Sequence, residues 1–177
     1  MKNTSKKKNV TLIGMPGAGK STTGVVLAKT IGFQFVDTDL LIQAVKDTTL
    51  QDIINTQGIQ KFLQIENEVV RDLKTEQSVI APGGSVIFGA EAMKNLQENS
   101  TIIYIQLSVK TIKNRLDNIQ TRGIAMGQGC TIDDVYRERV PLYEKYADII
   151  IPAENMELEE AVQSITEALK NEGFSFK

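Results

Sequence analysis

Short apolar segments alternate with longer amphipathic segments along most of this chain. Runs rich in Val, Ile and Phe predict strands at 10–13, 33–36, 79–81, 101–107 and 148–151. Apolar residues at helical spacing predict helices at 22–30, 40–46, 49–55, 59–74, 90–97, 109–116, from 132 onward and at 156–169. Because strands alternate with helices, the pattern predicts an α/β fold in which helices cover both faces of a parallel sheet.

Several residues at the predicted helix ends are good capping residues. Gly32 can end the first helix, and Ser108 can cap the helix that follows the fourth strand. Thr131 and Asp134 have the spacing of a capping box, with Asp in place of the usual Glu. Pro141 lies inside the helix that follows, and we expect it to end one helical segment and to begin another.

The first strand leads into a glycine-rich loop at the edge of the sheet where ligands of such folds bind. Residues Gly14 to Ser21 read Gly-Met-Pro-Gly-Ala-Gly-Lys-Ser and match the phosphate-binding pattern G-x-x-x-x-G-K-S/T at every required position. The glycines allow a tight turn in which successive N–H groups point at phosphate oxygens, and the following helix adds the positive end of its dipole. The segment therefore predicts a site for a polyphosphate.

The loop also predicts individual roles for its residues. We expect the Lys20 ammonium to reach the outer phosphates of a nucleoside triphosphate and the Ser21 hydroxyl to bind Mg²⁺. The expected nucleotide-binding residues of the loop and the first helical turn are Gly14, Gly17, Ala18, Gly19, Lys20, Ser21 and Thr22.

Two acids, Asp37 and Asp39, follow the second strand, and no other predicted strand has acids at its carboxyl end. A phosphate-loop enzyme binds its magnesium through a carboxylate as well as the loop hydroxyl. Asp37, acting through water, is the candidate for that carboxylate. Asp39 would face the phosphate acceptor, where it would orient a hydroxyl or take its proton. The alternative is that one or both acids only cap the following helix.

The third strand and a later helix supply further candidates on the acceptor side. Gly83 and Gly84 would let the backbone come close to a substrate, or they form only a tight turn. Arg139 could bind a carboxylate through both arms of its guanidinium. The alternative for Arg139 is an ion pair with Glu138 or Glu144.

Two more arginines point to the nucleotide. Arg122 begins a glycine-rich segment at 121–130, and a loop carrying this cation could close over the γ-phosphate, exclude water and stabilise the transferring charge. Arg115, on the preceding helix, could stack on adenine. The alternative for either residue is a solvated surface arginine.

Composition narrows the possible chemistry. The chain has 177 residues, a net charge of −2 and no histidine, which excludes a histidine general base, a Ser-His-Asp triad and the usual zinc sites. Basic and acidic residues are interspersed, and no apolar run is long enough for a membrane span, so we expect neither nucleic acid nor a membrane as partner. Cys130 is the single cysteine. We expect a cytoplasmic monomer that acts on a small molecule.

Together these segments resemble the shikimate kinase family over about residues 10–152. The matching pieces are Gly14–Ser21, Asp37–Asp39, Gly83–Gly84, Arg115 with Arg122 seven residues later, and Arg139–Tyr143 followed by Ala147-Asp148. The resemblance implies a three-layer αβα P-loop fold with strand order 2-3-1-4-5, ATP and Mg²⁺ as cofactors, and a lid over the site. It also implies phosphoryl transfer to the 3-hydroxyl of shikimate, with Asp39 and Arg139 touching that substrate and Arg115 near adenine. The catalytic residues would be Lys20, Asp39 and Arg122.

The acceptor half departs from the family pattern. The family has Phe-Arg on the helix after the second strand, where the arginine binds the shikimate carboxylate, and this chain has Phe62-Leu63. Lys61 is two positions away, on another side of the helix, and cannot replace the arginine. Shikimate would then be held differently, or the acceptor would be another small hydroxy acid or hydroxy amino acid.

The alternatives are a kinase for another small alcohol, gluconate- or homoserine-like, and a nucleotide-binding module without catalysis. A GTPase is disfavoured because the chain has no Asn-Lys-x-Asp for guanine. We expect one kinase domain over 1–177, with a flexible tail at 1–9, an acceptor-binding region at about 38–75 and a lid at about 121–130.

Overall fold

The computed structural model describes residues 7–117, 124–127, 129–174 and 176. In chain order the described strands and helices are β1 (Asn9–Ile13), α1 (Lys20–Ile31), β2 (Gln34–Asp37), α2 (Thr38–Lys46), α3 (Leu50–Gln57), α4 (Ile59–Arg71), β3 (Ser78–Ala81), a 3₁₀ turn (Val86–Phe88), α5 (Ala90–Asn99), β4 (Ser100–Gln106), α6 (Val109–Asp117), α7 (Ile132–Tyr146), β5 (Ile149–Pro152) and α8 (Leu158–Asn171).

All five strands of the sheet are parallel, in the order β2-β3-β1-β4-β5. This confirms the predicted α/β fold and strand order. β1 is central and completely buried, as expected for a short β-branched strand with helices on both faces. Its neighbours β3 and β4 end beside it, so the loops that follow these strands meet at one edge of the sheet.

The helices pack in two hydrophobic clusters, and α4 contributes to both. The larger core lies between the sheet and the helices that cover it, with α1 packed against α8 and α4 against α5. A second, smaller cluster contains Ile42, Ile53, Phe62, Ile65 and Ala125. It joins α2, α3 and α4 to the segment 124–127, so these three helices form a wall beside the carboxyl edge of the sheet.

Most predicted caps are present. Gly32 ends α1 in the left-handed conformation, with φ of 72°. Thr131 and Asp134 form the predicted capping box at the start of α7. Ser108 accepts a hydrogen bond from Thr111 N at 3.2 Å, as a helix-capping serine does.

Two predictions about element bounds are wrong. Pro141 does not divide its helix, because α7 runs without a break from Ile132 to Tyr146 and carries the proline inside. β1 begins at Asn9, inside the segment predicted as a tail, and residues 1–6 lie outside the described residues. In the described part of the chain, no helix combines the length and the apolar character that crossing a membrane requires.

Candidate active site

The glycine-rich loop connects β1 to α1 with two residues in the left-handed conformation. Gly17 has φ of 79° and Gly19 has φ of 89°, values that L-residues with side chains rarely adopt. Gly19 precedes α1 and provides no side-chain cap, so the first N–H groups of α1 are available to an anion. The loop therefore has the backbone that a phosphate site needs.

The Lys20 side chain is buried at the centre of this edge. Its ammonium donates to Gly14 O at 2.9 Å and to Met15 O at 3.0 Å. The pKa of Lys20 is lowered to about 8, mainly by burial and also by the nearby Arg139, while Asp39 is the carboxylate that most favours the charged form. These interactions bring the predicted residues Lys20, Asp39 and Arg139 into one electrostatic group.

The two carboxylate oxygens of Asp37 accept hydrogen bonds from different groups. Oδ1 caps α2 by accepting from Asp39 N at 2.9 Å and Leu40 N at 3.3 Å. Oδ2 accepts from the Ser21 hydroxyl at 3.2 Å. The capping alternative is thus correct for one oxygen of Asp37, and the other oxygen lies beside the loop hydroxyl.

Ser21 and Asp37 fit a magnesium site of the kind that phosphate-loop enzymes use. Mg²⁺ prefers oxygen ligands, keeps several waters and takes few protein ligands when phosphates complete its shell. The adjacent Ser21 Oγ and Asp37 Oδ2 are such a pair of oxygens. Among the described residues, no group of three or more acidic or cysteine side chains could hold a metal by itself.

Gly83 lies against two carboxylates. A Cβ added at Gly83 would lie 3.1 Å from Asp39 Oδ1 and 2.6 Å from Glu66 Oε1. Because Asp37 pairs with Ala81 in the β2–β3 ladder, the loop after β3 lies directly beside the acids that follow β2. Asp39, Glu66 and the backbone of Gly83 therefore meet at one point, and no larger residue would fit at Gly83 without displacing a carboxylate.

Glu66 is a site residue that the sequence prediction missed. It is 1% exposed, and its Oε2 accepts from the Ser85 hydroxyl at 2.6 Å. Burial and the neighbouring Asp39 raise the pKa of Glu66 to about 7. The sequence contains a signal for it, because Glu66 follows Phe62 by four residues and so interrupts the apolar face of α4 with an acid.

The raised pKa of Glu66 predicts a specific dependence of stability on pH. Between about pH 4.5 and 7 the folded protein keeps a proton that the unfolded chain releases, so stability should fall as pH rises through this window. The expected loss is on the order of 3 kcal/mol, because one pKa unit corresponds to about 1.4 kcal/mol. Urea unfolding at several pH values should show this slope in the wild type and a flatter one in Glu66→Gln. Equal slopes in the two proteins would contradict the assignment.

Arg139 projects into the site from α7 and is 2% exposed. Its Nη2 donates to the carbonyl of Ala125, and its guanidinium lies 5.5 Å from the ring centre of Phe88. Its buried Nε has no hydrogen-bond partner in the described part of the chain. The described residues show no ion pair of Arg139 with Glu138 or Glu144, so the ion-pair alternative is wrong.

The loop after β3 is held directly against this arginine. Tyr143, one helical turn after Arg139, donates to Gly84 O at 2.6 Å. A Cβ added at Gly84 would lie 3.2 Å from Arg139 Nη1 and 3.0 Å from the Pro16 side chain. Gly84 therefore allows the glycine-rich loop, the loop after β3 and α7 to meet closely.

A cavity of about 660 Å³ opens beside Arg139. Apolar side chains that line it include Leu63 and Phe88, and amide side chains that line it are Gln60, Gln64 and Asn67. Lys61 does not line it and instead donates to Gln64 at 3.1 Å on the exposed side of α4. In the described part of the chain, Arg139 is the one cationic side chain that lines this cavity.

A second cavity of about 270 Å³ lies on the other side of the glycine-rich loop. It is lined by residues of the loop and α1, by Arg115 on α6, and by residues after β5. Arg115 Nη1 also lies 3.3 Å from Ala18 O. Arg122 and residues 121, 123 and 128 of the predicted lid lie outside the described residues.

The sheet order, the phosphate loop and the acids beside it define a P-loop fold of the small-molecule kinase class. A family model described as "Shikimate kinase" matches residues 16–170. The chain is 35% identical over 164 residues to the shikimate kinase of Rippkaea orientalis, covering 91% of this chain and 87% of that protein. It is 32% identical to the shikimate kinase of Moorella thermoacetica, covering 92% and 94%. The chain belongs to the shikimate kinase family.

Solved structures agree with this assignment. The structure of Acinetobacter baumannii shikimate kinase in complex with shikimate has a TM-score of 0.84 and 25% identity, over 96% of this chain and 97% of that one. Aquifex aeolicus shikimate kinase has a TM-score of 0.77 and 27% identity, over 94% and 99%. A deoxyadenosine kinase from M. mycoides, at 15% identity and a TM-score of 0.57, shares the fold alone.

Proposed function

We propose that this protein transfers the γ-phosphoryl group of ATP to the 3-hydroxyl of shikimate. One observation carries the proposal: Lys20, Asp39 and Arg139 interact at the carboxyl edge of the sheet, around the backbone of Gly83 and Gly84. The family assignment and the shikimate complex of the Acinetobacter baumannii relative support the same acceptor.

In this proposal the phosphate-binding side acts through charge and backbone. The N–H groups of the loop and Thr22 bind the phosphates, and Lys20 neutralises charge that develops as the γ-phosphoryl group moves. Ser21 and Asp37 would hold Mg²⁺, which would supply positive charge to the phosphates. Arg115 borders the base, and Arg122 contributes a further cation to the transferring phosphoryl group.

The acceptor side orients the hydroxyl and the carboxylate of the substrate. Asp39, beside the backbone of Gly83, accepts the proton of the attacking hydroxyl or orients that hydroxyl. Arg139 binds the carboxylate of the acid through its Nε–H, which has no hydrogen-bond partner among the residues that the structure describes. Glu66, beside Asp39, lies where it can accept from a second hydroxyl of the acceptor.

A coupled assay of ADP release tests the proposed acceptor. Shikimate, gluconate, homoserine and nucleoside monophosphates should be compared at equal concentration with ATP and Mg²⁺. We expect shikimate to give the highest kcat/KM and the product to be the 3-phosphate, identified by ³¹P NMR. Turnover of another acceptor with little of shikimate would replace shikimate in the proposal, and ATP binding without turnover of any acceptor would favour a non-catalytic module.

Leu63 is the one observation that favours a different small alcohol. Leu63 lines the cavity of about 660 Å³ beside Arg139, which the proposal assigns to the acceptor. It stands at the position where the family has an arginine, so one carboxylate contact of the family is missing. If shikimate is nevertheless the substrate, Arg139 is the one cation among the described residues lining the cavity that can pair with its carboxylate. We therefore expect the KM for shikimate to be higher than in a family member that has the arginine at this position.

The variant Leu63→Arg should lower the KM for shikimate by about tenfold or more, since a charge-assisted hydrogen bond contributes about 1.5–3 kcal/mol. The KM for ATP should stay unchanged because Leu63 lines the cavity beside Arg139 and not the cavity beside the glycine-rich loop. Leu63→Gln, which is polar but uncharged, is the matched control and should produce a much smaller effect. If the shikimate KM of Leu63→Arg stayed at the wild-type value, the acceptor carboxylate would have to bind elsewhere.

The monomeric state and the cytoplasmic location remain predictions from the sequence. Light scattering after size exclusion tests the first, and a mass of twice 19.6 kDa would contradict it.

A further inference from the structure

Glu154 lies in the loop after β5 and joins two walls of the smaller cavity. One wall is α6, which carries Arg115, and the other is the segment from Ala153 to Leu158. Glu154 is 46 residues distant in sequence from Ser108, the first residue it contacts. It does not itself line the cavity.

Both oxygens of the Glu154 carboxylate accept hydrogen bonds from the start of α6. Oε2 accepts from Ser108 N at 2.9 Å, and Oε1 accepts from the Ser108 hydroxyl at 3.1 Å and from the Thr111 hydroxyl. A carboxylate at a helix N-terminus is also stabilised by the helix dipole. The same hydrogen bonds keep the pKa of Glu154 below its usual value. The carboxylate is thus charged at neutral pH and fully engaged with α6.

The loop that Glu154 holds turns at Asn155. Asn155 has φ of 60°, in the left-handed region that asparagine adopts more readily than most residues with side chains. Ala153 N donates to Gln106 O at 3.0 Å and Met156 N donates to Ala153 O at 3.2 Å, which closes the turn. Met156 and the two residues after it then line the cavity. The residue in the left-handed conformation is therefore adjacent to the carboxylate that ties the turn to α6.

Helix α6 also contacts the glycine-rich loop. Arg115 lies one helical turn after Thr111 on α6, and its Nη1 is close to the carbonyls of Gly17 and Ala18. Movement of α6 relative to the loop after β5 would therefore change the width of the cavity and the position of Arg115 together. The hydrogen bonds that Glu154 accepts from Ser108 and Thr111 oppose this movement.

We propose that Glu154 is a positioning residue for the nucleotide. Its hydrogen bonds fix the two walls of the smaller cavity at the separation that the base and ribose require. It acts through Ser108, Thr111 and the turn at Asn155, and touches neither the transferring phosphoryl group nor the acceptor. The inference rests on the proposed nucleotide function of this cavity.

The variant Glu154→Ala tests the inference, with Glu159→Ala, an exposed acid on α8, as the matched control. Calorimetric titration with Mg²⁺ and ADP should show an affinity about tenfold lower for Glu154→Ala than for the wild type. The KM for ATP should rise by a similar factor, while kcat at saturating ATP and the KM for the acceptor stay near wild-type values. A merely structural defect would instead change kcat and both KM values together, and would lower the melting temperature.

A double-mutant cycle with Thr111→Val identifies the route of the effect. If Glu154 acts through α6, Thr111→Val should weaken ADP binding in the wild-type background and have little further effect in Glu154→Ala. Unchanged ADP affinity in Glu154→Ala, or effects of the two substitutions that simply add, would overturn the inference while the proposed function stands. A wild-type protein that binds no ADP would overturn both.

Discussion

Replacing Lys20 by alanine is expected to lower kcat by about 10²–10³-fold or more, the loss typical when one preorganised donor to developing charge is removed. The ammonium is buried and interacts with Asp39, Glu66 and Asp37 around it. With its pKa lowered to about 8, it is still charged at pH 7 and meets little competition from water. A transferring phosphoryl group would therefore experience nearly its full charge.

Initial rates of ADP release with saturating ATP and acceptor measure this effect. Lys29→Ala is the matched control because Lys29 is an exposed lysine on the same helix, and its rate should stay near the wild-type rate. Circular dichroism should show both variants folded, since the loss of a buried charge removes a desolvation cost. Near-normal turnover in Lys20→Ala would exclude the loop from the reaction.

Replacing Asp39 by asparagine is expected to lower kcat by about 10²–10⁴-fold, the range for loss of a general base. Asparagine has almost the same shape, so it should preserve the contact with the backbone of Gly83. It cannot accept a proton, however, and it no longer balances the charge of Lys20. Nucleotide affinity should change little, because the proposed function assigns the carboxylate to the acceptor and not to the nucleotide.

Steady-state rates and ADP titrations on the same preparations separate these two effects. Asp47→Asn is the matched control, because Asp47 is exposed at the end of α2 and has φ of 49°, a conformation that asparagine adopts readily. An unchanged kcat in Asp39→Asn would remove Asp39 from the acceptor side. A large loss of ADP affinity would instead assign it to the nucleotide.

The phosphate-binding loop could be recognised in the sequence because it is local. Gly14 to Ser21 form one continuous motif, and the strand before it and the helix after it are short-range features. The strand order needed more than local information. It followed from the family resemblance, since alternation of strands and helices predicts a parallel sheet without giving the order of its strands.

The two possible roles of Asp37 could not be separated in sequence because a carboxylate has two oxygens. The pattern of an acid before a helix predicts a cap, and the position of the same acid at a strand end predicts a metal ligand. In the structure Oδ1 caps α2 and Oδ2 accepts from the Ser21 hydroxyl. The capping contact and the contact with the loop hydroxyl therefore occur on one side chain.

Glu66 was missed because its environment is made by distant residues. Ser85 and Gly83 come from the loop after β3, and only the folded chain brings them to α4. Glu154 is a similar case, since its partners Ser108 and Thr111 follow a different strand. In both cases only folding brings the partners of the acid to it.

Pro141 shows where a local rule was too strong. A proline inside a helix removes one backbone hydrogen bond and crowds the preceding turn, at a cost of about 3 kcal/mol. The prediction of a break followed from that cost alone. In the structure α7 continues through Pro141 with Arg139 and Tyr143 both buried on the same face, so tertiary packing outweighs the local penalty.

A crystal structure with ADP, Mg²⁺ and shikimate tests the central claim most directly. The account predicts the phosphates on the N–H groups from Gly17 to Thr22, and the ion beside Ser21 and Asp37. It also predicts the shikimate carboxylate on Arg139 and the 3-hydroxyl within hydrogen-bond distance of Asp39. Nucleotide bound away from the loop, an Asp37 turned from the ion, or shikimate with its 3-hydroxyl directed away from Asp39 would contradict it.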